Sequence, residues 1–337
     1  MKIALVSPYT LPVCRGNSLT VQRLFEGLSS RGHRVSLFNC TTDAPEDLAS
    51  FAPDVVHSLH AVHPHAWLLR SGALGNIPWI VTMTGTDYTA DVTTGAPQTI
   101  TEAQALIVFH AEGAQKVRLR WPELSGRVYI IPQAVRLPEP AGRRNSLRHD
   151  AGIAPEDCVV FMAAGLRPVK NIGYALDSFA RFCQKHRRSR LLLAGAPLHE
   201  AESSRVLAAL EPIPGSTYLG ELPHERVLEL MQAADIFLNT SLQEGMSGAV
   251  MEAMATGLAI IATDIAGNRA LITHEHNGIL VPLHAPDALA EAIRALAEDP
   301  SLRKHLGDRA RQDTIDRFGC GAELQAHETL YRKILSG

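Results

Sequence analysis

Two acids in one small-residue stretch carry the strongest chemical signal in the chain. Glu244 and Glu252 stand eight positions apart in Ser241-Leu242-Gln243-Glu244-Gly245-Met246-Ser247-Gly248-Ala249-Val250-Met251-Glu252-Ala253-Met254-Ala255-Thr256-Gly257, just after the apolar run Ile236 to Leu238. That run reads as a buried strand, and Gly257 suits the position just past a helix end, so a helix is expected from near Ser247 to Gly257. Glu244 then sits in the loop at the carboxyl edge of a sheet, with Glu252 about one and a half turns inside the helix. Each carboxylate can accept from a pair of adjacent hydroxyls, as sugars and ribose offer, while the loop lets the amides of Gly245, Met246 and Ser247 approach the same ligand. The plainer alternative makes Glu252 a partly exposed helix residue and Glu244 an acid favoured by a helix N-terminus.

A complementary pair of bases lies in Gly165-Leu166-Arg167-Pro168-Val169-Lys170, after the apolar run Val159 to Met162 and before a helix beginning near Asn171. Cations at the positive end of a helix are unfavourable unless an anion joins them, which makes Arg167 and Lys170 candidates to clamp a diphosphate; solvated loop charges are the alternative. Near the N-terminus, Cys14-Arg15-Gly16-Asn17-Ser18 follows a strand and opens a helix, another place where backbone N–H groups can meet an anion, or simply a loop with Asn17 or Ser18 as helix cap. Neither G-x-G-x-x-G nor G-x-x-x-x-G-K-[ST] occurs, which removes most of the case for dinucleotide oxidoreductases and P-loop NTPases.

His57, His60, His63 and His65 crowd one strand end and its loop, but their spacing fits no zinc or facial-triad pattern. His57 and His60 are read as pocket residues, as is His110, for which a helix-capping role is equally open. There is no D-x-D, and Asp87 and Asp91 are too far apart to mimic it, so metal-independent chemistry without a cofactor is expected. Cys14 lies in the glycine loop, with nothing in sequence to mark it as a nucleophile.

The elements that must position these groups are α/β throughout. Short apolar runs at Ile3 to Val6, Val35 to Phe38, Val55-Val56, Trp79 to Val81, Leu106 to Phe109 and Val128 to Ile131 alternate with helical patterns such as Val21, Leu24, Phe25 and Leu28. Such alternation means βαβ units and a parallel sheet covered on both faces. Residues 136–157 lapse into a Pro, Gly, Arg and Asn mixture and are read as a linker. A second series then runs through Val159 to Met162, Leu191 to Leu193, Thr217 to Leu219, Ile236 to Leu238, Ala259 to Ala262 and Ile279 to Val281, ending in about forty helical residues. The domains expected are 1–140 and 155–317. Because open parallel sheets bind ligands beyond the carboxyl ends of their strands, two such sheets facing a cleft would hold two ligands.

Composition agrees. With 337 residues, 46% hydrophobic and 20% charged, the chain suits two ordinary folded domains. Lys plus Arg is 32 against 35 Asp plus Glu, a net charge of −3, which lacks the basic excess that nucleic-acid binding needs. The apolar start Ile3-Ala4-Leu5-Val6 stops at Ser7-Pro8, short of a signal-peptide core, and no apolar run reaches 18 residues. Five cysteines show no framework spacing and read as reduced thiols. A cytoplasmic protein without a transmembrane segment is expected; peripheral membrane contact and oligomeric state stay open.

Glu244 and Glu252 as E-x7-E, followed by Ala253-Met254-Ala255-x-Gly257, resemble the signature of glycosyltransferase family 4. The resemblance covers nearly the whole chain. It extends to Gly16 in an N-terminal glycine loop, to Arg167 and Lys170 as a donor-diphosphate pair, and to Asn277-Gly278-Ile279-Leu280-Val281 as a late strand. It implies the GT-B architecture of two facing Rossmann-like domains, with the C-terminal helix 318–337 packing back on the first. The first domain then takes the acceptor and the second the nucleotide-sugar donor. It also implies roles: Glu244 on the donor sugar's hydroxyls, Glu252 on the nucleoside ribose. The set Gly16-Asn17-x-x-Thr20, Gly85-Thr86-Asp87, Gly165 to Lys170, Glu244 to Ser247 and Gly267-Asn268 most resembles the glycosyltransferase one domain-containing proteins, and several features are similar to selenosugar synthases. Two departures stand out. Thr84 replaces a histidine that many relatives place near the donor sugar, and Gly245-Met246-Ser247 replaces G-F-G beside it.

Taken together with this resemblance, which is what implies retention, the sequence reads as a retaining glycosyltransferase moving a hexosyl group from a UDP- or GDP-linked sugar to a small-molecule, glycan or protein acceptor. Glu244, Arg167, Lys170 and Asp87 are its catalytic candidates, and Asn17, His57, His60, Thr84, Asp87 and His110 its acceptor candidates. Other readings are a sulfur or selenium nucleophile on the same fold, a sugar-nucleotide epimerase, and a non-catalytic sensor.

Overall fold

A computed structural model describes residues 1–13, 15–72, 77–85, 87, 98–138 and 144–336. The chain forms two compact units, Met1–Ala134 with Phe318–Gly337, and Val135–Arg317. In the first, strands β1 (Lys2–Ser7), β2 (Arg34–Asn39), β3 (Val55–Leu59), β4 (Trp79–Thr82), β5 (Ala105–Val108) and β6 (Val128–Ile130) form a parallel sheet ordered β2-β1-β3-β4-β5-β6. Alternate residues of each strand face opposite ways. Ile3, Leu5, Val55, Leu59, Ile80 and Ile107 pack with Val21, Leu24 and Leu28 of helix Gly16–Ser30 and with Leu324, Leu330 and Tyr331 of helix Cys320–Ser336. Ala4, Val6, Val56, Val81, Leu106 and Val108 pack on the other face, against Trp67, Leu68 and Val117. Both faces are therefore dry, as the continuous apolar runs required.

The C-terminal helix is fastened to this first unit by specific bonds. Glu323 receives Arg23 Nε at 2.9 Å and Nη2 at 2.8 Å, a two-pronged pair, and also accepts the Ala134 N–H at 3.1 Å. Gly27 lies under Leu324, so the two helices approach closely.

In the second unit, β7 (Cys158–Ala163), β8 (Ser189–Ala194), β9 (Ser216–Tyr218), β10 (Ile236–Asn239), β11 (Ala259–Thr263) and β12 (Ile279–Val281) pair in parallel in the order β12-β11-β10-β7-β8-β9. This is the Rossmann order, and its direction reverses between β7 and β10, where such sheets open a crevice. Helix Ile172–Cys183 buries Ile172, Ala175, Leu176, Phe179 and Phe182, the i, i+3, i+4, i+7 stripe of a one-sided helix. It meets Val160, Met162, Leu191, Leu193, Ile236 and Leu238 from the sheet.

The segment read as a linker proves to be more than that. Residues 144–150 form a helix, and Arg148 lies buried, donating to the carbonyls of Ala233, Ala154 and Asp157 and to Asp235. Its neighbour Arg144 donates to Gln232 O and Asp235. These arginines satisfy the carbonyl end of helix His224–Ala233, work that leaves no apolar period in the sequence. Residues 139–143 of that segment lie outside the described residues. No helix among the described residues is long and apolar enough to cross a membrane.

Candidate active site

The second unit gathers its chemical groups on the loops after β7 and β10, adjacent strands at the reversal point. After β7 the chain runs through Gly165 to a short turn of 3-10 helix, Pro168–Lys170, then through Asn171 in the left-handed conformation into helix Ile172–Cys183. After β10 it runs through Thr240 to Met246 and enters helix Gly248–Thr256 at Ser247, whose hydroxyl accepts the Val250 N–H at 3.4 Å. Gly257 ends that helix at φ +75°, a conformation that costs a residue with a Cβ about 1–2 kcal/mol. The two loops are stitched together. Leu242 N–H donates to Val169 O at 2.8 Å, and the Thr240 hydroxyl donates to Lys170 O at 3.0 Å.

On this frame Lys170 Nζ meets Glu244 Oε1 at 2.5 Å, and the Ser241 hydroxyl donates to the same oxygen at 2.7 Å. The two side chains are 15% and 14% exposed, enough for a ligand to reach them and too little for water to screen them fully. Burial pushes the Glu244 carboxyl up, but the charge and hydrogen bond of Lys170, with Ser241 and the more distant Arg167, outweigh it and hold Glu244 below the usual carboxylate range. Arg167 itself is exposed at the loop's edge.

A short helix, Ala266–Arg269, supports Glu244. Gly267, after β11, lies so close to the Glu244 backbone that a Cβ there would stand 2.5 Å from Glu244 O. Its neighbour Asn268 is fully buried and donates to Asn239 Oδ1 at 3.2 Å and Thr263 O at 2.9 Å, which ties β10, β11 and the acid-bearing loop together. Glu252 points elsewhere: its Oε1 accepts from or shares a proton with His224 Nε2 at 2.7 Å. The four groups singled out in sequence thus resolve into a Lys170–Glu244 pair with Arg167 at long range, and a separate Glu252–His224 pair. His224 is the residue sequence reasoning missed; its only local signal is a histidine opening a helix directly after Pro223.

The first unit disposes of several acceptor candidates differently. His57 is fully buried, with Nδ1 2.7 Å from the Tyr331 hydroxyl and Nε2 2.7 Å from Thr82 Oγ1. Both ring nitrogens are spent inside the unit, so His57 is a core residue and not an acceptor ligand. Asp87 is 1% exposed, and its carboxylate accepts the N–H groups of Ala61 at 3.0 Å, Thr84 at 3.1 Å and Gly85 at 2.9 Å. That arrangement makes it the anchor of two loops rather than a catalytic group. His110 takes the capping alternative, its Nδ1 accepting the Gly113 N–H at 3.1 Å.

Gly16 and Asn17 open helix Gly16–Ser30, whose cap position is Arg15, not Asn17 or Ser18; Ser18 Oγ instead accepts the Arg15 N–H at 2.8 Å. His60 sits in the left-handed region at φ 79°, its ring 4.3 Å from that of His63 and its Nδ1 accepting the Val62 N–H. Burial lowers the His60 pKa, against the charge of Asp87 and with that of His63. Thr84 is half-buried beside Asp87. Cys14, Thr86 and Asp91 lie outside the described residues.

Comparison with known proteins bears on the family and the fold. Residues 143–313 match the family model described as Glycosyl transferases group 1. Over 333 residues the chain is 25% identical to Glycosyltransferase 1 domain-containing protein 1 of Xenopus tropicalis, covering 94% of this chain and 93% of that one. Over 274 residues it is 26% identical to the alpha-maltose-1-phosphate synthase of Mycolicibacterium smegmatis, covering 76% and 70%. Among solved structures it resembles the sucrose-phosphate synthase of Thermosynechococcus elongatus, with TM-score 0.83 at 20% identity over 99% of both chains. It also resembles HepE of Anabaena in complex with UDP-glucose, with TM-score 0.80 at 18% identity over 98% of this chain and 99% of that one. At such identities the structural likenesses speak for the fold, two Rossmann-like units of the GT-B type. With a family model spanning just over half its length, the chain belongs to the glycosyl transferases of group 1.

Proposed function

We propose that the protein is a retaining hexosyltransferase that takes a UDP- or GDP-linked sugar on its second unit. The observation that carries the reading is the Lys170–Glu244 pair at the reversal point of a Rossmann sheet, flanked by Arg167 and by the start of helix Gly248–Thr256. In this reading Glu244 accepts from the sugar hydroxyls, the amides of Gly245, Met246 and Ser247 line the donor, and Glu252 accepts from the ribose. The bond from the anomeric carbon to the diphosphate breaks and negative charge grows on the leaving oxygens. Arg167 and Lys170, with the helix N-terminus, meet that charge from fixed positions, which favours the transition state over the ground state. The new bond forms to an acceptor oxygen, whose proton passes to the departing phosphate. The acceptor is assigned to the first unit, near Gly16, Asn17, His60 and Thr84.

Because two side-chain cations answer the diphosphate, the transfer is proposed to need neither metal nor cofactor; turnover unchanged by EDTA tests that. UDP-glucose bound to the similar HepE supports a nucleotide-sugar donor. The decisive experiment is a thermal-shift screen of UDP, GDP, ADP and their hexose conjugates, since a ligand of the native state raises its apparent stability. One conjugate should shift the melting temperature more than its nucleotide does. The anomeric configuration of the product then decides retention, and a protein blind to every nucleotide refutes the proposal.

A further inference from the structure

His224 opens helix His224–Ala233 after Pro223, and this helix packs against helix Gly248–Thr256, which carries Glu252. A cationic imidazole at a helix N-terminus is disfavoured by the helix dipole, and so is a carboxylate drawn out of water. The structure resolves both by setting His224 Nε2 2.7 Å from Glu252 Oε1. The pair is not closed over. The His224 side chain is 33% exposed and that of Glu252 15%, and among the described residues Glu252 Oε2 has no protein partner.

We infer that His224 is a positioning residue for nucleotide binding: it fixes one carboxylate oxygen of Glu252 so that the other is presented, in a set orientation, to the vicinal hydroxyls of the nucleoside. The inference rests on the ribose role proposed for Glu252. A glutamate held by a charge-assisted bond loses less rotamer freedom when the ligand arrives, and the positive charge beside it offsets a carboxylate that otherwise repels a diphosphate. The titratable neighbours that bear on His224 are Glu252 across the helix interface and Glu225 on its own helix. The hydrogen bond to Glu252 raises the His224 pKa, burial opposes it, and the charges of Glu252 and Glu225 add to the rise. The helix of residues 144–150 packs on the same element, but directs Arg144 and Arg148 to its far end at Asp235.

The test is calorimetry with UDP and GDP on the full chain, across pH, for wild type, His224→Ala, His224→Gln and Glu252→Ala, with melting temperatures recorded for each. His224→Ala is expected to raise the nucleotide Kd about tenfold, the worth of one charge-assisted hydrogen bond. His224→Gln, which keeps an N–H donor but not the charge, is expected to recover part of that loss. In wild type, affinity should fall as pH rises through the His224 titration, and the His224→Gln profile should be flat there. A merely structural His224 would lower the melting temperature and leave Kd and its pH profile as they are, which overturns the inference. If Glu252→Ala weakens binding while both His224 variants bind like wild type, this inference fails and the ribose reading stands; if Glu252→Ala itself binds like wild type, both fall.

Discussion

Adding one methyl group at Gly267 should disable recognition of the sugar while sparing recognition of the nucleotide. A Cβ built there stands 2.5 Å from Glu244 O and 2.9 Å from Glu244 Cβ, whereas ordinary contact begins at 3.4 Å. Something must yield by roughly 0.9 Å. The Gly267 side is pinned, because buried Asn268 is hydrogen-bonded to Asn239 and Thr263, so the displacement falls on the Glu244 loop. A shift of that size at a reacting centre costs on the order of 100-fold in rate, and the overpacking costs about 1–3 kcal/mol of stability. Glu252 sits in the helix beyond Ser247, on its own partner His224, and is not pushed. The assay compares, by calorimetry, UDP with UDP-glucose and GDP with GDP-glucose, then measures donor turnover. Gly126→Ala serves as a control, since a Cβ there meets nothing within 4 Å. Gly267→Ala should bind the nucleotide within about threefold of wild type, lose about tenfold in the extra affinity conferred by the sugar, and turn over about 100-fold more slowly. A folded variant that keeps the full sugar increment and the wild-type rate would refute the idea that Glu244 is held in place for the donor sugar.

Other substitutions separate stability from chemistry. Arg167→Ala and Lys170→Ala should each reduce turnover on the order of 100-fold. Urea unfolding should set them apart, because exposed Arg167 costs at most about 0.5 kcal/mol while removal of Lys170 strands the Glu244 carboxylate and costs about 3 kcal/mol; full activity in both variants removes the diphosphate clamp. Glu323→Ala takes the partner from buried Arg23 and an acceptor from Ala134, and should cost about 3–5 kcal/mol, with melting unchanged as the contrary result.

Acid should destabilise the first unit through two histidines. Burial holds His57 well below its ordinary pKa, the charge of His327 adding and that of Glu323 opposing, and burial with the charge of Arg23 holds His327 at about 3. The unfolded chain protonates both near pH 6.5 and the folded chain does not, so stability falls as pH drops from about 6.5 toward 3, by up to ~1.4 kcal/mol per pH unit for each histidine. His327→Gln should flatten that slope by one proton, and an unaltered slope in urea titrations contradicts the account.

The strands and the helix that carries Glu252 were legible in the sequence. Each apolar run read as a strand is one, within a residue or two at its ends except Val55-Val56, which continues through His57 and Ser58 to Leu59, because a strand covered on both faces writes its burial into consecutive residues. The helix from Ser247 to Gly257 was legible for the same reason, its cap and its terminal glycine being local devices. What periodicity cannot report is which distant residues meet. Lys170 and Glu244 are 74 positions apart and join only because β7 and β10 are neighbours in a sheet whose order departs from the chain's. His57 looked available until a helix 274 positions away closed over it through Tyr331. Asp87 looked catalytic until three backbone N–H groups claimed it, and the arginines of residues 144–150 looked like a linker because binding carbonyls leaves no hydrophobic pattern. Sequence by itself determined the elements, since each is stabilised by burial repeating along its own length. Tertiary structure alone decided which carboxylate faces which cation, since a charge pair is set by distance in space and strand order is what sets that distance.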